Sequence, residues 1–453
     1  MREEMTYRGH VRAVLRLALP LIGGNLAQIA ITITDAVMLG WYDVEALAGE
    51  VLGNMVIFVL FLFGSGLALA VMPAVAEAEA AGDATQVRRV TRMGLWASVA
   101  YALATVPVFL FARPLLKALG QTPEVAELAA QYMEIAGFAL IFALLGMVLK
   151  SYLSALEHTG VVLWATVAAA LANAVVNYAL IFGHWGAPEM GIRGAAVASF
   201  LVQVVLLFVL LGYVLKVVPQ HALFQRLWKI DRGALWLVVR LGLPIGLTLL
   251  AEVGLFAASS VMMGWLGAVP LAAHGIALQI ASATFMVHLG LSSAATVRAG
   301  RAIGRGDMLG LRRGGTVVTA MSGVVAVLGM ALFLTFPAPL IELFLDPSDP
   351  QRDAVLGIGV GLMAAAALFQ VMDAAQVMAL GLLRGVKDTK VPMVMAAVAY
   401  WAVGAPASYW LGFPAGFGGV GIWLGLALGL LVAAALLMWR FWGPVLARVA
   451  AAE

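Results

Sequence analysis

Cysteine is absent from the 453 residues, and charged side chains make up only 11% of them. The first absence excludes disulfides, thiolate metal sites and cysteine nucleophiles, and with them thiol redox chemistry. The second excludes a water-soluble fold: soluble domains carry about 25% charged residues, whereas 63% of this chain is apolar. A phosphate loop is missing too, because the glycine-rich stretch 416–421 lacks a following Lys-Ser or Lys-Thr. The net charge of +3 comes from basic residues set singly or in short groups between apolar runs, so no nucleic-acid partner is expected. At the start, Arg2, Arg8, Arg12 and Arg16 precede an apolar run that is longer than a signal-peptide core and lacks a small-x-small cleavage site. That pattern predicts an uncleaved first span.

What is present is a series of long apolar runs. A helix needs roughly 20 residues to cross about 30 Å of hydrocarbon, and a window of that length finds twelve spans: 17–39, 51–76, 93–112, 128–149, 161–183, 194–215, 241–266, 271–297, 314–340, 354–383, 391–411 and 420–439. They are too long and too evenly apolar for barrel strands, and backbone in lipid must satisfy itself, so helices are the remaining choice. With the N-terminus inside, 23 of the 27 lysines and arginines fall on the cytoplasmic side; Arg113, Lys117, Arg193 and Arg352 fall outside. The asymmetry predicts that both termini are cytoplasmic.

The chain also repeats itself. A shift of 224 positions pairs Arg16 with Arg240, Pro20 with Pro244, Gly40-Trp41 with Gly264-Trp265, Gly82-Asp83 with Gly306-Asp307 and Arg88-Arg89 with Arg312-Arg313, without a gap. After small length changes, Thr159 matches Thr389. Six helices is an even number, so the halves share one orientation. The expected fold is an all-α integral membrane protein of twelve transmembrane helices in two six-helix lobes related by a pseudo-twofold axis along the membrane normal. Residues 1–215 form the N-terminal lobe, 216–240 a cytoplasmic linker and 241–453 the C-terminal lobe. Such a pair of lobes is the usual build of an alternating-access transporter.

Chemistry is expected where acids remain inside the spans, since a charge at the bilayer centre costs about 2.5 to 3.5 kcal/mol even on the gentlest scale. Asp35, Glu252 and Asp373 stand out. At 1.5 Å per residue, Glu252 and Asp373 each lie roughly 16 to 18 Å from a cytoplasmic helix end, so they can meet within one lobe. Two carboxylates in a dry site favour a shared proton or small hard cation. Asp35 lies higher, roughly 28 Å beyond Arg16, and Asn173 and Asn177, one turn apart in the fifth span, reach toward its level. Pro20 and Pro244 are candidate helix bends. His274 and His288 have no metal-ligand neighbours in sequence and read as structural. The 21 methionines read as gap fillers.

Taken together, Arg16-Leu-Ala-Leu-Pro20, Arg240-Leu-Gly-Leu-Pro244, Asp35, Asn177, Glu252, Asp373 and Arg384-Gly385-x-x-Asp388-Thr389 resemble the multidrug and toxic compound extrusion (MATE) family, in its bacterial NorM branch, over essentially the whole chain. The resemblance implies export of flat, often cationic aromatic compounds in exchange for sodium or protons. It also implies one cation-responsive site at Asp35, Asn173 and Asn177 and a second, a candidate Na+ site, at Glu252 and Asp373. Some NorM proteins carry a tyrosine one turn before the second aspartate, where this chain has Phe369. Phe369, Tyr400, Trp401, Gln28, Gln279 and Met263 are the candidate lining of a substrate chamber. Expected partners are small-molecule drugs and the lipid bilayer, with Na+ or H+ as coupling ion, no other cofactor, and a monomer in the bacterial inner membrane. A flippase for lipid-linked precursors is the competing reading and would require buried arginines for a pyrophosphate. An embedded enzyme would require a convergent nucleophile and base, and a channel a continuous polar filter.

Overall fold

A computed structural model of the chain describes residues 5–348 and 350–451; Arg2 lies outside them. Among the described residues there is no strand. Eleven helices are long and apolar enough to cross a membrane, and one bent pair makes a twelfth span. They are α1 (Tyr7–Tyr42), α2 (Glu45–Ala80), α3 (Ala84–Leu110), α4 (Pro123–Ala136 with Ala139–Ala155), α5 (Thr159–Phe182), α6 (Ile192–Val217), α7 (Arg232–Leu266), α8 (Ala268–Gly304), α9 (Met308–Thr335), α10 (Arg352–Gly385), α11 (Lys390–Gly412) and α12 (Gly418–Val449). Each coincides with one apolar run, but most overshoot it. Hydropathy marks the part of a helix that meets oil, whereas backbone hydrogen bonding continues into the polar interface. α1 therefore starts ten residues before its apolar run, and α2 starts at Glu45 instead of 51.

Irregularities have local causes. α4 bends by 48° at Gly137-Phe138. In α11 the turn Ala399–Gly404 is π-helical just ahead of Pro406, which has no N–H to give. Pro20 and Pro244, the expected bends, lie inside helices that run on through them.

The repeat seen in the sequence recurs as matched backbone. Gly82 and Gly306 both take positive φ, +79° and +63°. The aspartates that follow cap the next helices: Asp83 accepts from Gln86 N at 2.9 Å and Asp307 from Gly310 N at 2.7 Å. A second pair is less expected. Glu157 and Lys387 adopt left-handed φ of 65° and 60°, and each closes a helix with the same 6→1 bond, His158 N to Leu153 O at 2.8 Å and Asp388 N to Leu383 O at 2.9 Å.

Small residues set the closest crossings, as membrane helices gain little from hydrophobicity against lipid and rely on packing. A Cβ at Gly66 of α2 would overlap the backbone of Gly242 and Gly246 in α7. Along α8 and α10, Ser292 Oγ donates to Val377 O and Thr296 Oγ1 to Gly381 O, both at 2.8 Å. Exposed tryptophans, Trp41, Trp164, Trp185, Trp236, Trp265, Trp410 and Trp439, lie toward helix ends, where an amphipathic ring suits the membrane interface.

By contacts the chain forms two compact units, Leu19–Gly246 and Met1–Ala18 with Leu247–Glu453. These limits differ from the expected 1–215, 216–240 and 241–453, and side chains explain why. At the start of α1, His10 Nδ1 accepts from Arg298 at 3.0 Å and Arg313 lies 5.7 Å from the Tyr7 ring centroid, so these first turns join the C-terminal unit. The linker instead joins the N-terminal unit. Arg89 holds Asp231 at 2.5 Å, Arg92 donates to the carbonyls of Gln225 and Arg226, and Trp96 Nε1 donates to Leu227 O. His221 lies between Tyr152 Oη at 2.6 Å and Glu79 at 3.1 Å.

The bond from Arg89, with a second from Ala234 N–H, holds the Asp231 carboxyl down at about 2, below its ordinary 3.8. Its stabilisation is therefore present above the ordinary value and lost as pH falls through about 4 toward 2. Asp231→Asn should lower the melting temperature of purified protein at neutral pH, with the gap to the parent narrowing over that acid window in a thermal-shift titration. Gly66→Ile is expected to cost about 1–3 kcal/mol or more by overpacking, visible as a lower melting temperature and loss of a monodisperse peak on gel filtration.

Candidate functional site

In the N-terminal unit, α1, α5 and α6 converge on Asp35, which is buried. Asn177 Nδ2 donates to Asp35 Oδ1 at 2.5 Å and to Asn173 Oδ1 at 3.1 Å, and Ser199 Oγ donates to Asp35 Oδ2 at 3.3 Å. Both asparagines have no exposed surface. The three residues singled out in the sequence thus form one network. It has loose ends, because Asn177 Oδ1 and Asn173 Nδ2 find no protein partner. An asparagine that offers its N–H to a carboxylate must turn its oxygen elsewhere, and here the oxygen is buried with nothing to accept from.

The C-terminal unit holds the second network, on α7, α10 and α11. Gln376 Nε2 donates to Glu252 Oε1 at 3.0 Å, and Tyr400 Oη donates to Gln376 Oε1. Asp373 is 3% exposed, and its Oδ1 has no partner. The charged group that acts on Asp373 is Glu252, while Arg384, at the end of α10, acts on Glu252. Two carboxyl groups thus stand against one guanidinium, so with both ionised the group would carry one negative charge in excess and could take up a proton or a small cation.

An aromatic wall closes this unit beside the acids. Phe369 meets Phe256 and Trp423 edge-on, with centroids 5.8 and 5.3 Å away. Trp423 Nε1 donates to His274 Nδ1 at 3.0 Å, and His274 Nε2 lies 3.0 Å from Ser260 Oγ. An indole can only donate, so Nδ1 is an acceptor and the proton sits on Nε2. Both nitrogens of His274 are satisfied, in keeping with a structural role. His288 bonds Ser322 Oγ at 2.9 Å through Nδ1.

The residues expected to line a chamber separate into two groups. Tyr400 and Met263 are fully buried and Phe369 is 4% exposed, so these three fill space where an open lining was expected; Tyr400 belongs to the acid network. Trp401 is exposed and anchors Nε1 to Ala251 O at 3.2 Å. Gln279 is exposed and Gln28 half-buried.

The sequence model of the MatE family matches this chain twice, over residues 20–179 and 244–410. The chain belongs to the MatE family. The two matches begin at Pro20 and Pro244, the register of the internal repeat. Among relatives, the "Probable multidrug resistance protein NorM" of Rhizobium meliloti (strain 1021) is 46% identical over 98% of this chain and 95% of its own. A protein of the same description in Synechocystis sp. is 35% identical over 96% and 95%. Among solved structures, an outward-facing multidrug resistance MATE family transporter superposes with a TM-score of 0.87 at 21% identity, covering 99% of both chains. A eukaryotic MATE transporter does so at 0.82 and 19%, covering 98% of both. At such identities these two structures share the fold. Membership in MatE makes the chain a multi-pass membrane transporter and not an enzyme.

Two members of the MatE networks, and one further buried acid, escaped the sequence reading. Gln376 follows Asp373 by three residues, on the same helical face, a signal that went unused. Ser199 is one hydroxyl among many in apolar spans and carried no signal. Glu50, only 3% exposed, fell one residue outside the apolar run that marked α2. Gln376 bridges Glu252 and Tyr400, so Gln376→Leu should abolish ion-driven efflux from proteoliposomes, whereas Tyr400→Phe, which spares the bond to Glu252, should reduce it by a smaller factor. Equal losses in the two variants would remove the bridge from the account.

Proposed function

We propose that this MatE protein exports flat, often cationic aromatic compounds in exchange for inward movement of sodium ions or protons. The observation that carries the reading is that each compact unit buries a carboxylate network inside its spans, and that in each the carboxyl groups outnumber the basic groups acting on them. A permanent cation would serve stability as well. A site left short by one charge suits capture and release. Support comes from the multidrug resistance descriptions of relatives that match nearly end to end.

The N-terminal network responds to charge through its amides. While Asp35 is ionised, Asn177 must offer N–H to it, as observed. Once Asp35 carries a proton or faces a cation, Asn177 can offer oxygen instead, and Asn173 can then reverse to give its idle N–H to Asn177. Both amides swap ends together, which changes how α5 holds α1. In the C-terminal network the added charge sits with Glu252 and Asp373, and Gln376 passes the change to Tyr400 on α11. Drug and ion would then bind in mutually exclusive states. Each charge moved inward contributes about 2.3 kcal/mol per 100 mV, enough for roughly 50-fold accumulation.

The flippase reading requires a buried basic cluster. Among the described residues Arg92 is occupied by linker carbonyls and Arg384 is engaged by Glu252, which favours the drug exporter. By the same reading the protein is a monomer in the bacterial inner membrane with both termini cytoplasmic.

Asp373→Asn and Asp35→Asn should each give well-expressed protein that fails to lower cellular ethidium. In proteoliposomes, sodium and pH gradients imposed separately name the coupling ion. Normal efflux by either variant would remove its site from the scheme.

A further inference from the structure

Glu50 is a buried acid with no evident task in the scheme above. It lies on α2 seven residues past Asp43, the cap at which the chain turns from α1 into α2, and Asp35 lies eight residues before that turn. Antiparallel helices rise equally from their turn, so the two carboxyl groups share one depth. The second half shows the same hairpin with its contact made. There Ser260 and His274 each lie seven residues from the turn at Gly267, and Ser260 Oγ is 3.0 Å from His274 Nε2. Under the shift of 224, His274 is the counterpart of Glu50.

Walls close around Glu50. Ala46, Glu50 and Gly53 share one face of α2. Ala46 belongs to a buried cluster with Tyr132 of α4 and with Ala195 and Ala196 of α6. A Cβ at Gly53 would meet the Tyr132 ring, so α4 comes close one turn from Glu50. Tyr132 lies beside Ser199, and Ser199 bonds Asp35. The titratable groups around Glu50 are thus Asp35 from α1 and Tyr132 from α4. Among the described residues no lysine or arginine acts on Asp35 or Glu50, and Glu50 accepts no hydrogen bond. The idle oxygen of Asn177, on the very amide that touches Asp35, is a further buried acceptor without a donor. Oxygen ligands in excess, two of them carboxylates, suit a hard cation.

We propose that Glu50 is a cation ligand of the N-terminal unit, supplying the second carboxylate of a sodium site shared with Asp35, Asn177 and Ser199. The proposal rests on the reading of Asp35 as a coupling residue and adds to it a ligand, a charge and an ion. Glu50 faces the ion across the α1–α2 hairpin, so binding draws those two helices together at that level.

The test uses full-length protein in detergent with Glu252→Gln and Asp373→Asn as background, which silences the C-terminal acids. Melting temperature is followed against sodium chloride, with choline chloride as control, at about pH 8, where protons compete weakly with carboxylates. The background protein should show a saturable sodium-dependent rise. Glu50→Gln should weaken the apparent sodium affinity by at least about tenfold, Glu50→Asp should retain part of it, and in choline Glu50→Gln should melt no lower than its parent, since it removes a buried unpaired charge. An unchanged sodium response in Glu50→Gln would overturn the proposal. A lower melting temperature of that variant in both salts would overturn it in favour of a packing role, and a background protein that answers acid but not sodium would overturn it in favour of protons alone. Drug efflux by the otherwise unaltered chain, assayed in parallel, reports on the export reading separately.

Discussion

A carboxylate inside a helix that faces oil must find compensation nearby, and the rest of this structure is arranged around that requirement. Leaving one partner of a buried ion pair unmatched costs about 3–5 kcal/mol. The C-terminal unit answers with an amide, a phenol and a guanidinium, and still sets two carboxyl groups against one basic group. The N-terminal unit answers with two amides and a hydroxyl, and leaves an amide oxygen idle. Incomplete compensation is what the proposed exchange requires, since a cation that arrives and leaves would complete it.

Precise placement of these groups depends on features with no charge at all. Gly66 lets α2 reach α7 backbone to backbone, and the serine and threonine of α8 lock onto carbonyls of α10 one turn apart. Those carbonyls belong to Val377 and Gly381, on the C-terminal side of the segment that carries Asp373 and Gln376. The π-helical turn of α11 carries Tyr400. Widened turns recur where a side chain must be re-aimed without ending the helix.

The two halves repeat in backbone far more faithfully than in chemistry. Matched caps and matched left-handed residues show that the scaffold was kept. The acids were not. At the shift of 224, Glu252 answers to Gln28, Asp35 to Ser259 and Glu50 to His274. Each of these three carboxylates therefore answers to an uncharged polar group in the other half. One scaffold thus carries two acidic networks of different composition.

Much of this was legible in residues alone. Lipid forbids unpaired backbone and penalises charge, so twelve helices, their repeat and the acids Asp35, Glu252 and Asp373 could be read from spacing and composition. Asn173 and Asn177 were legible too, because a helix places residues four apart on one face. Folding decided the rest, since it depends on which side chains meet from helices distant in sequence. Ser199 and Gln376 became members of acid networks only through packing. Tyr400 turned from an expected chamber wall into a buried donor, and Met263 and Phe369 into filling. Glu50 was hidden for a different reason: hydropathy sees the oil-facing part of a helix, while a helix and its buried face extend further. The sequence by itself determined that acids lie in the membrane, and only the tertiary structure decided what each acid touches, because hydrogen bonds and charge compensation form between helices and leave no trace in the order of residues.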